Sequence, residues 1–166
     1  MMLYLDMDGV IADFFGGLEK KYGVEHWKNL PDKEESIFNL KYTDFFNTLE
    51  LYPTSNELVL FCKNLAKNNF GICSSPLTGD EHNSAYWKRI WLERHGFMPK
   101  VSNCIFTRQK QKYAVGRIDG SPNILVDDKP SNIDHWNKCG GIGIRYQANE
   151  DSLEELKMNL QAVYKD

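Results

Sequence analysis

Residues 2–9 read MLYLDMDG, an apolar run that stops on a carboxylate, with a second carboxylate two places on and then a glycine. A short run of this kind reads as a strand buried on both faces. Alternation along an extended chain points Asp6 and Asp8 to the same side, and Gly9 permits a sharp exit turn. The same punctuation recurs twice. FGIC at 70–73 runs into Ser74, Ser75 and Pro76, and NILVD at 123–127 runs into Asp128, Lys129 and Pro130. Helical periodicity occupies 58–67 and 84–95, the second stopped by Gly96. A further strand is expected around 104–106, a helix starting at Pro130, a last strand at 141–146 and an amphipathic helix at 150–163. Short apolar strands alternating with helices predict an α/β fold, a three-layer Rossmann-like parallel sheet covered on both faces. Residues 14–53 lack a clear strand and are rich in aromatics. They read as a small helical cap inserted after the first strand, leaving 1–13 and 54–166 as the core.

The chain has 166 residues, enough for one domain with a small insertion. With 42% hydrophobic and 26% charged residues it has the balance of a soluble globular protein. No apolar run approaches the roughly 20 residues of a membrane span, and the N-terminus does not resemble a signal peptide. The net charge of −3 argues against a protein that coats nucleic acid, though not against a nucleotide substrate. Four cysteines, Cys62, Cys73, Cys104 and Cys139, form no C-x-x-C pair and read as small hydrophobes. Free thiols without a signal peptide predict a cytoplasmic protein.

In an open parallel sheet, ligands bind at the carboxyl ends of the strands. Asp6 with Asp8, Ser74 with Ser75, and Asp127 with Asp128 should therefore converge on one site. Carboxylates crowded together call for a hard cation, and Mg²⁺ accepts few protein oxygens and fills its octahedron with water and phosphate. One carboxylate can attack phosphorus and a second can pass protons. Ser74 and Lys110, the latter just after the 104–106 strand, would supply a donor and a positive charge for phosphate. Each residue alone has a plainer reading. Ser74-Ser75-Pro76 could be a turn, Lys110 a solvated lysine, and Asp127-Asp128 a helix start. Asp13 is read as a helix cap, and most aromatics of 14–53 as packing.

Taken together these residues resemble a known family. Asp6 to Phe14, DMDGVIADF, resembles the first motif of the haloacid dehalogenase-like (HAD) superfamily in its phosphatase form. Ser74, Lys110 and Asp127-Asp128 are similar to its second, third and fourth motifs, in order. DMDGVIADF, ICSSP, Lys88-x-x-Trp91, FTRQK at 106–110 and ILVDDKP at 124–130 are similar to segments of the 5′(3′)-deoxyribonucleotidases. The resemblance implies Asp6 as nucleophile. Asp8 would be the acid/base, touching metal through its backbone carbonyl. Asp127 would bind the metal directly with Asp128 in support, a division that the residues alone leave open. Ser74, Ser75 and Lys110 would hold phosphate, Lys88 and Arg108 would face substrate, and Phe14 would stack on a base. The family's cap is longer and lined with aromatics; here Phe14, with Phe45 and Phe46, lines up. Ser74 replaces the family's usual Thr, and Lys129 its usual Arg.

The expected activity is Mg²⁺-dependent phosphomonoester hydrolysis, on a deoxyribonucleoside monophosphate first. Alternatives are a phosphosugar or polynucleotide end, a phosphotransferase, and last a non-enzymatic nucleotide-binding protein. The expected partner is a small phosphorylated substrate, with no membrane and no nucleic-acid coating; a homodimer stays open.

Overall fold

The computed structural model describes residues 1–164. Five strands, β1 (Leu3–Leu5), β2 (Phe70–Ser74), β3 (Cys104–Phe106), β4 (Ile124–Asp127) and β5 (Ile142–Arg145), form one parallel sheet in the order β3-β2-β1-β4-β5. The period of two sorts their side chains cleanly. Leu3, Leu5, Ile72, Ile124 and Val126 enter the larger core, while Tyr4, Cys73 and Leu125 enter a smaller one on the opposite face. Burial on both faces explains why these strands are short and continuously apolar rather than alternating.

Helices α1 (Phe14–Tyr22), α2 (Lys33–Phe38) and α3 (Phe45–Thr48) follow β1, and α4 (Ser55–Ala66) leads into β2. Beyond β2 come α5 (Glu81–Arg94), α6 (Pro130–Lys138) and α7 (Leu153–Val163). Residues of α4, α5 and α7 fill the larger core, and those of α1 and α3 belong to the same cluster. The thinner layer rests on Trp136 of α6, whose ring meets Tyr4 edge-on at 6.0 Å and whose Nε1 donates to the Asn123 carbonyl at 2.9 Å. Pro130 opens α6 as expected. Asp13 caps α1, accepting from the Gly16 amide at 2.9 Å. Gly71 lets the Tyr4 ring lie across the neighbouring strand, since a Cβ there would stand 2.6 Å from it.

The expected strands all form, with boundaries shifted by a residue or two. The expectation of packing aromatics in 14–53 holds for Phe45, Phe46 and Tyr52. It fails for Phe38, the last residue of α2, and for Tyr42 in the turn that follows, which are 60% and 79% exposed. Among the described residues no helix is long and apolar enough to cross a membrane.

Candidate active site

β1 lies at the centre of the sheet with β2 on one side and β4 on the other. The chain therefore delivers Asp6, Ser74 and Asp127 side by side at the strands' carboxyl ends. The sheet direction reverses here, first to β2 and β3, then back past β1 to β4 and β5, and such a switch point opens a crevice. Asp6 continues the ladder, its amide donating to Val126 at 2.9 Å. The chain then turns tightly, with the Met7 carbonyl accepting from the amides of Val10, Ile11 and Ala12. Gly9 has φ +78°, and a Cβ on it would stand 2.6 Å from Asp128 Oδ2. Glycine is needed there both for the turn and for the approach of Asp128.

Asp6, Asp127 and Asp128 offer oxygens that all lie within 4.8 Å of one another. Lys110, 3% exposed, reaches between two of them, 2.9 Å from Asp6 Oδ2 and 2.5 Å from Asp127 Oδ2. Asp127 is fully occupied by its own protein. Its Oδ1 accepts from the Lys129 amide at 2.9 Å, and Asn132 Nδ2 donates to both carboxylate oxygens at 3.1 and 3.0 Å. Asp128 has no such partners among the described residues and faces the cavity.

Lys88, 1% exposed, comes from α5 and closes the other side. Its Nζ donates to Asp8 Oδ2 at 2.7 Å, to Ser74 Oγ at 3.1 Å and to the Ser75 carbonyl at 2.8 Å. Sequence reasoning aimed this lysine at substrate; in the structure its ammonium is bound to Asp8 and Ser74. Asp8 Oδ1 is buried without a partner among the described residues.

Four carboxylates thus share two ammonium groups. Burial is the largest single effect on Asp6 and pushes its pKa up. The charges of Lys110 and Lys88, with hydrogen bonds from Lys110 and Ser74, outweigh it and hold Asp6 below the usual carboxylate range. Burial holds Asp8 above that range; Lys88 opposes it and Asp6 adds to it. Asp127 is raised by burial and by Asp6. Asp128 is pushed up to about 8 by burial, then by Asp6, Asp127 and Asp8. Burial alone would lower Lys110, but Asp6 and Asp127 hold it above the ordinary lysine value. Excess negative charge, an unpartnered Asp8 oxygen and a free Asp128 carboxylate make an oxygen-rich setting that fits a hard divalent cation.

A cavity of about 600 Å³ stands over these groups. Asp6, Asp8, Ser75 and Asp128 line its base. Phe14, Phe15, Trp27 and Phe46 form an aromatic wall, with Phe14 and Phe46 nearly parallel at 6.2 Å between centroids and Phe15 stacked on Trp27 at 5.0 Å. Lys129, Asn132, Arg145 and Gln147 make a polar rim. Phe14 is where the sequence placed it, and Phe45 packs behind it at 5.8 Å. Arg108 is not in this cavity. It is exposed in an adjoining depression with Glu81 and Gln109, separated from the acidic groups by Pro76. Phe15, Trp27 and Asn132 were missed by sequence reasoning. Trp27 carried a signal, a lone large aromatic in the polar stretch Glu25-His26-Trp27-Lys28-Asn29.

Residues 1–164 match the family model described as "5' nucleotidase, deoxy (Pyrimidine), cytosolic type C protein". Over 153 residues the chain is 29% identical to the mitochondrial 5′(3′)-deoxyribonucleotidase of Mus musculus, covering 78% of this chain and 65% of the relative. It is 30% identical over 148 residues to the cytosolic-type 5′(3′)-deoxyribonucleotidase of Homo sapiens, covering 75% of this chain and 69% of the relative. The chain therefore spans just under two thirds of the mouse mitochondrial protein. A phosphonoacetaldehyde hydrolase-like protein from Oleispira antarctica shares the fold, with TM-score 0.55 and 16% identity over 97% of this chain and 82% of that one. So does a haloacid dehalogenase-like hydrolase from Streptococcus pneumoniae, with TM-score 0.52 and 13% identity over 99% of this chain and 98% of that one.

Proposed function

The chain belongs to the deoxy (pyrimidine) cytosolic type C 5′-nucleotidase family, and from that premise we propose that it hydrolyses phosphomonoesters through a phosphoryl intermediate on Asp6, with deoxyribonucleoside monophosphates as substrates. The observation that carries this reading is the meeting of Asp6, Asp8, Ser74, Lys88 and Lys110 at one end of three adjacent strands, beneath an aromatic wall.

Asp6, kept ionised by Lys110, attacks phosphorus in line and forms an oxygen–phosphorus bond as the ester bond breaks. Asp8 gives its proton to the departing alcohol oxygen, and its raised proton affinity suits that role. Asp8 then accepts a proton from water, whose oxygen attacks phosphorus, releasing phosphate and restoring the Asp6 carboxylate. Ser74, Lys88 and Lys110 surround the phosphoryl oxygens with donors and positive charge. Asp6 and Asp128 would hold Mg²⁺, with the backbone carbonyl of Asp8; this reverses the expected division between Asp127 and Asp128, because the Asp127 oxygens already accept from Lys110, Lys129 and Asn132. When bound, that ion neutralises the crowded carboxylates and orients phosphate. Residues 14–53 act as the cap: Phe14, Phe15, Trp27 and Phe46 give a base a stacking surface. The chemistry belongs in the cytosol, in keeping with its free cysteines.

The test is phosphate release from 5′- and 3′-deoxyribonucleotides, ribonucleotides, phosphosugars, phosphorylated oligonucleotide ends and an aryl phosphate, with Mg²⁺ and with chelator. Mg²⁺-dependent release favouring deoxyribonucleotides supports the proposal. Release from the aryl phosphate alone sinks the nucleotidase reading, and transfer to an alcohol in preference to water indicates a phosphotransferase.

Mg²⁺ is also expected to change stability in a pH-dependent way. Asp8, Asp127 and Asp128 have raised proton affinities when folded without metal. Their contribution to stability is full below the unfolded carboxylate pKa. It is lost as pH rises through their folded values, for Asp128 about 8. Mg²⁺ at a fixed concentration about 100 times its Kd at pH 8 should add about 2.7 kcal/mol there, or about 5–10 °C in Tm, and the same concentration should add less at pH 5, where protons compete for the carboxylates. Thermal melts with and without the ion check this; an equal gain at both pH values contradicts it.

A further inference from the structure

The helical segment 14–53 is fastened to the core at two places. Its root is an antiparallel bridge between Ala12 and Leu51, reinforced by the Asp13 amide donating to Glu50 at 2.9 Å. Its tip, the turn between α2 and α3, is tied to the segment that leaves β2. There Asp80, only 5% exposed, accepts on Oδ2 from the Tyr42 amide at 3.0 Å and from Asn83 Nδ2 at 2.9 Å. Asn83 Nδ2 also donates to the Thr43 carbonyl at 3.0 Å, and the Tyr42 hydroxyl donates to the Gly79 carbonyl at 3.3 Å. On the core side, Ser84 fixes the same segment, donating to the Asp80 carbonyl at 2.7 Å and accepting from the Leu77 amide at 2.9 Å.

Tyr42 has φ +60°, a conformation costly for a residue with a bulky side chain. Its backbone is held there by the bond to Asp80, while its ring remains exposed. Strain of this kind persists only where surrounding contacts enforce it. The turn it makes sends the chain from Ile37 on α2 to Phe46 on α3, both of which line the cavity, while Leu77 and Thr78 line it from the fastened core segment. The spacing between these two walls therefore depends on the tie at Asp80.

We propose that Asp80 is a positioning residue for substrate specificity: by latching the Tyr42-Thr43 turn to the segment after β2, it sets the width of the slot that receives the part of the substrate beyond its phosphate. The proposal rests on the nucleotidase reading above. Asp6, Asp8 and Ser74 lie at the strand ends, and Lys88, about two turns along α5 from Asp80, is held by its own bonds to Asp8, Ser74 and Ser75, so a substrate too small to reach the slot is indifferent to the latch.

The test compares Asp80→Ala and Asp80→Asn with the unaltered protein on a deoxyribonucleoside monophosphate and on an aryl phosphate. Asp80→Ala should raise KM for the nucleotide about tenfold with kcat/KM for the aryl phosphate within about twofold. Asp80→Asn, whose side-chain oxygen can still accept both bonds, should behave like the unaltered protein. Equal loss on both substrates, no change on either, or failure of Asn to rescue overturns the proposal. Should Asp80→Ala not fold, Asn83→Ala is read the same way: the split supports the latch and its absence overturns it. Should the unaltered protein act on no nucleotide, the functional reading fails by itself. Hydrogen exchange then decides the latch, which predicts that amides 42–48 lose protection in Asp80→Ala while those of β1 and β4 do not; unchanged protection at 42–48 overturns it.

Discussion

Asp6→Asn is expected to lower turnover of any phosphomonoester by about 10⁴-fold or more, the scale on which removal of a nucleophile acts elsewhere, with no loss of fold. The substitution removes the attacking group and keeps its surroundings. An asparagine oxygen can still accept the Met7 amide, as Asp6 Oδ1 does at 2.7 Å. Charge favours the variant in the absence of metal. Asp6 is among the causes that raise Asp8, Asp127 and Asp128, so its neutralisation relieves all of them. Against this stands the loss of the pairing between Asp6 and Lys110 at 2.9 Å, while Lys110 retains Asp127. Kinetics with parallel melting curves check the prediction. Turnover within tenfold of the unaltered protein would remove Asp6 from the role of nucleophile.

Lys110→Met should be the more damaging change to stability. Lys110 is almost wholly buried between Asp6 and Asp127, and methionine leaves two carboxylates facing each other without their shared cation. Breaking a buried pair by removing one partner costs about 3–5 kcal/mol, or about 6–20 °C in Tm for a chain of this size. Removing a donor and charge from the phosphate should also lower kcat/KM by about 10²–10³-fold. The stability deficit carries a pH signature. In the unaltered protein Asp6 is held low, so its contribution is present above the unfolded carboxylate pKa and lost as pH falls through its depressed folded value. Without Lys110, burial dominates and the sign reverses: the ionised carboxylates become a cost that grows as pH rises. The two proteins should therefore converge in stability on acidification and separate near neutrality. A deficit of constant size from pH 4 to pH 8 would contradict the electrostatic account and leave only lost packing.

The strands and their order of use were legible because each ends in abrupt punctuation. An apolar run closed by Asp6, Ser74 or Asp127 fixes where the strand stops, and parallel pairing brings those ends together. Asp13 was legible as a cap because an aspartate directly before a helical stretch is a common helix start. The contacts that depend on packing were not. Lys88 reaches Asp8 only because α5 lies against the same core face, a relation across 80 residues that no local pattern encodes. Asn132 meets Asp127 because α6 begins at once after β4, which the helix start at Pro130 implied but the side chain's direction did not. The cap was the least legible part. Phe15 and Trp27 line the cavity while Phe38 and Tyr42 face outward, and that sorting follows from a turn at Tyr42 in a conformation that sequence favours for glycine, not tyrosine.

The most direct measurement is acid quenching of the protein during turnover with Mg²⁺ and a deoxyribonucleoside monophosphate, followed by mass analysis of the peptide that begins the chain. Asp6 is expected to carry one phosphoryl group, with no such adduct in Asp6→Asn. Sustained release of phosphate from a protein whose Asp6 is never phosphorylated, while Asp6→Asn keeps working, would contradict the account at its centre.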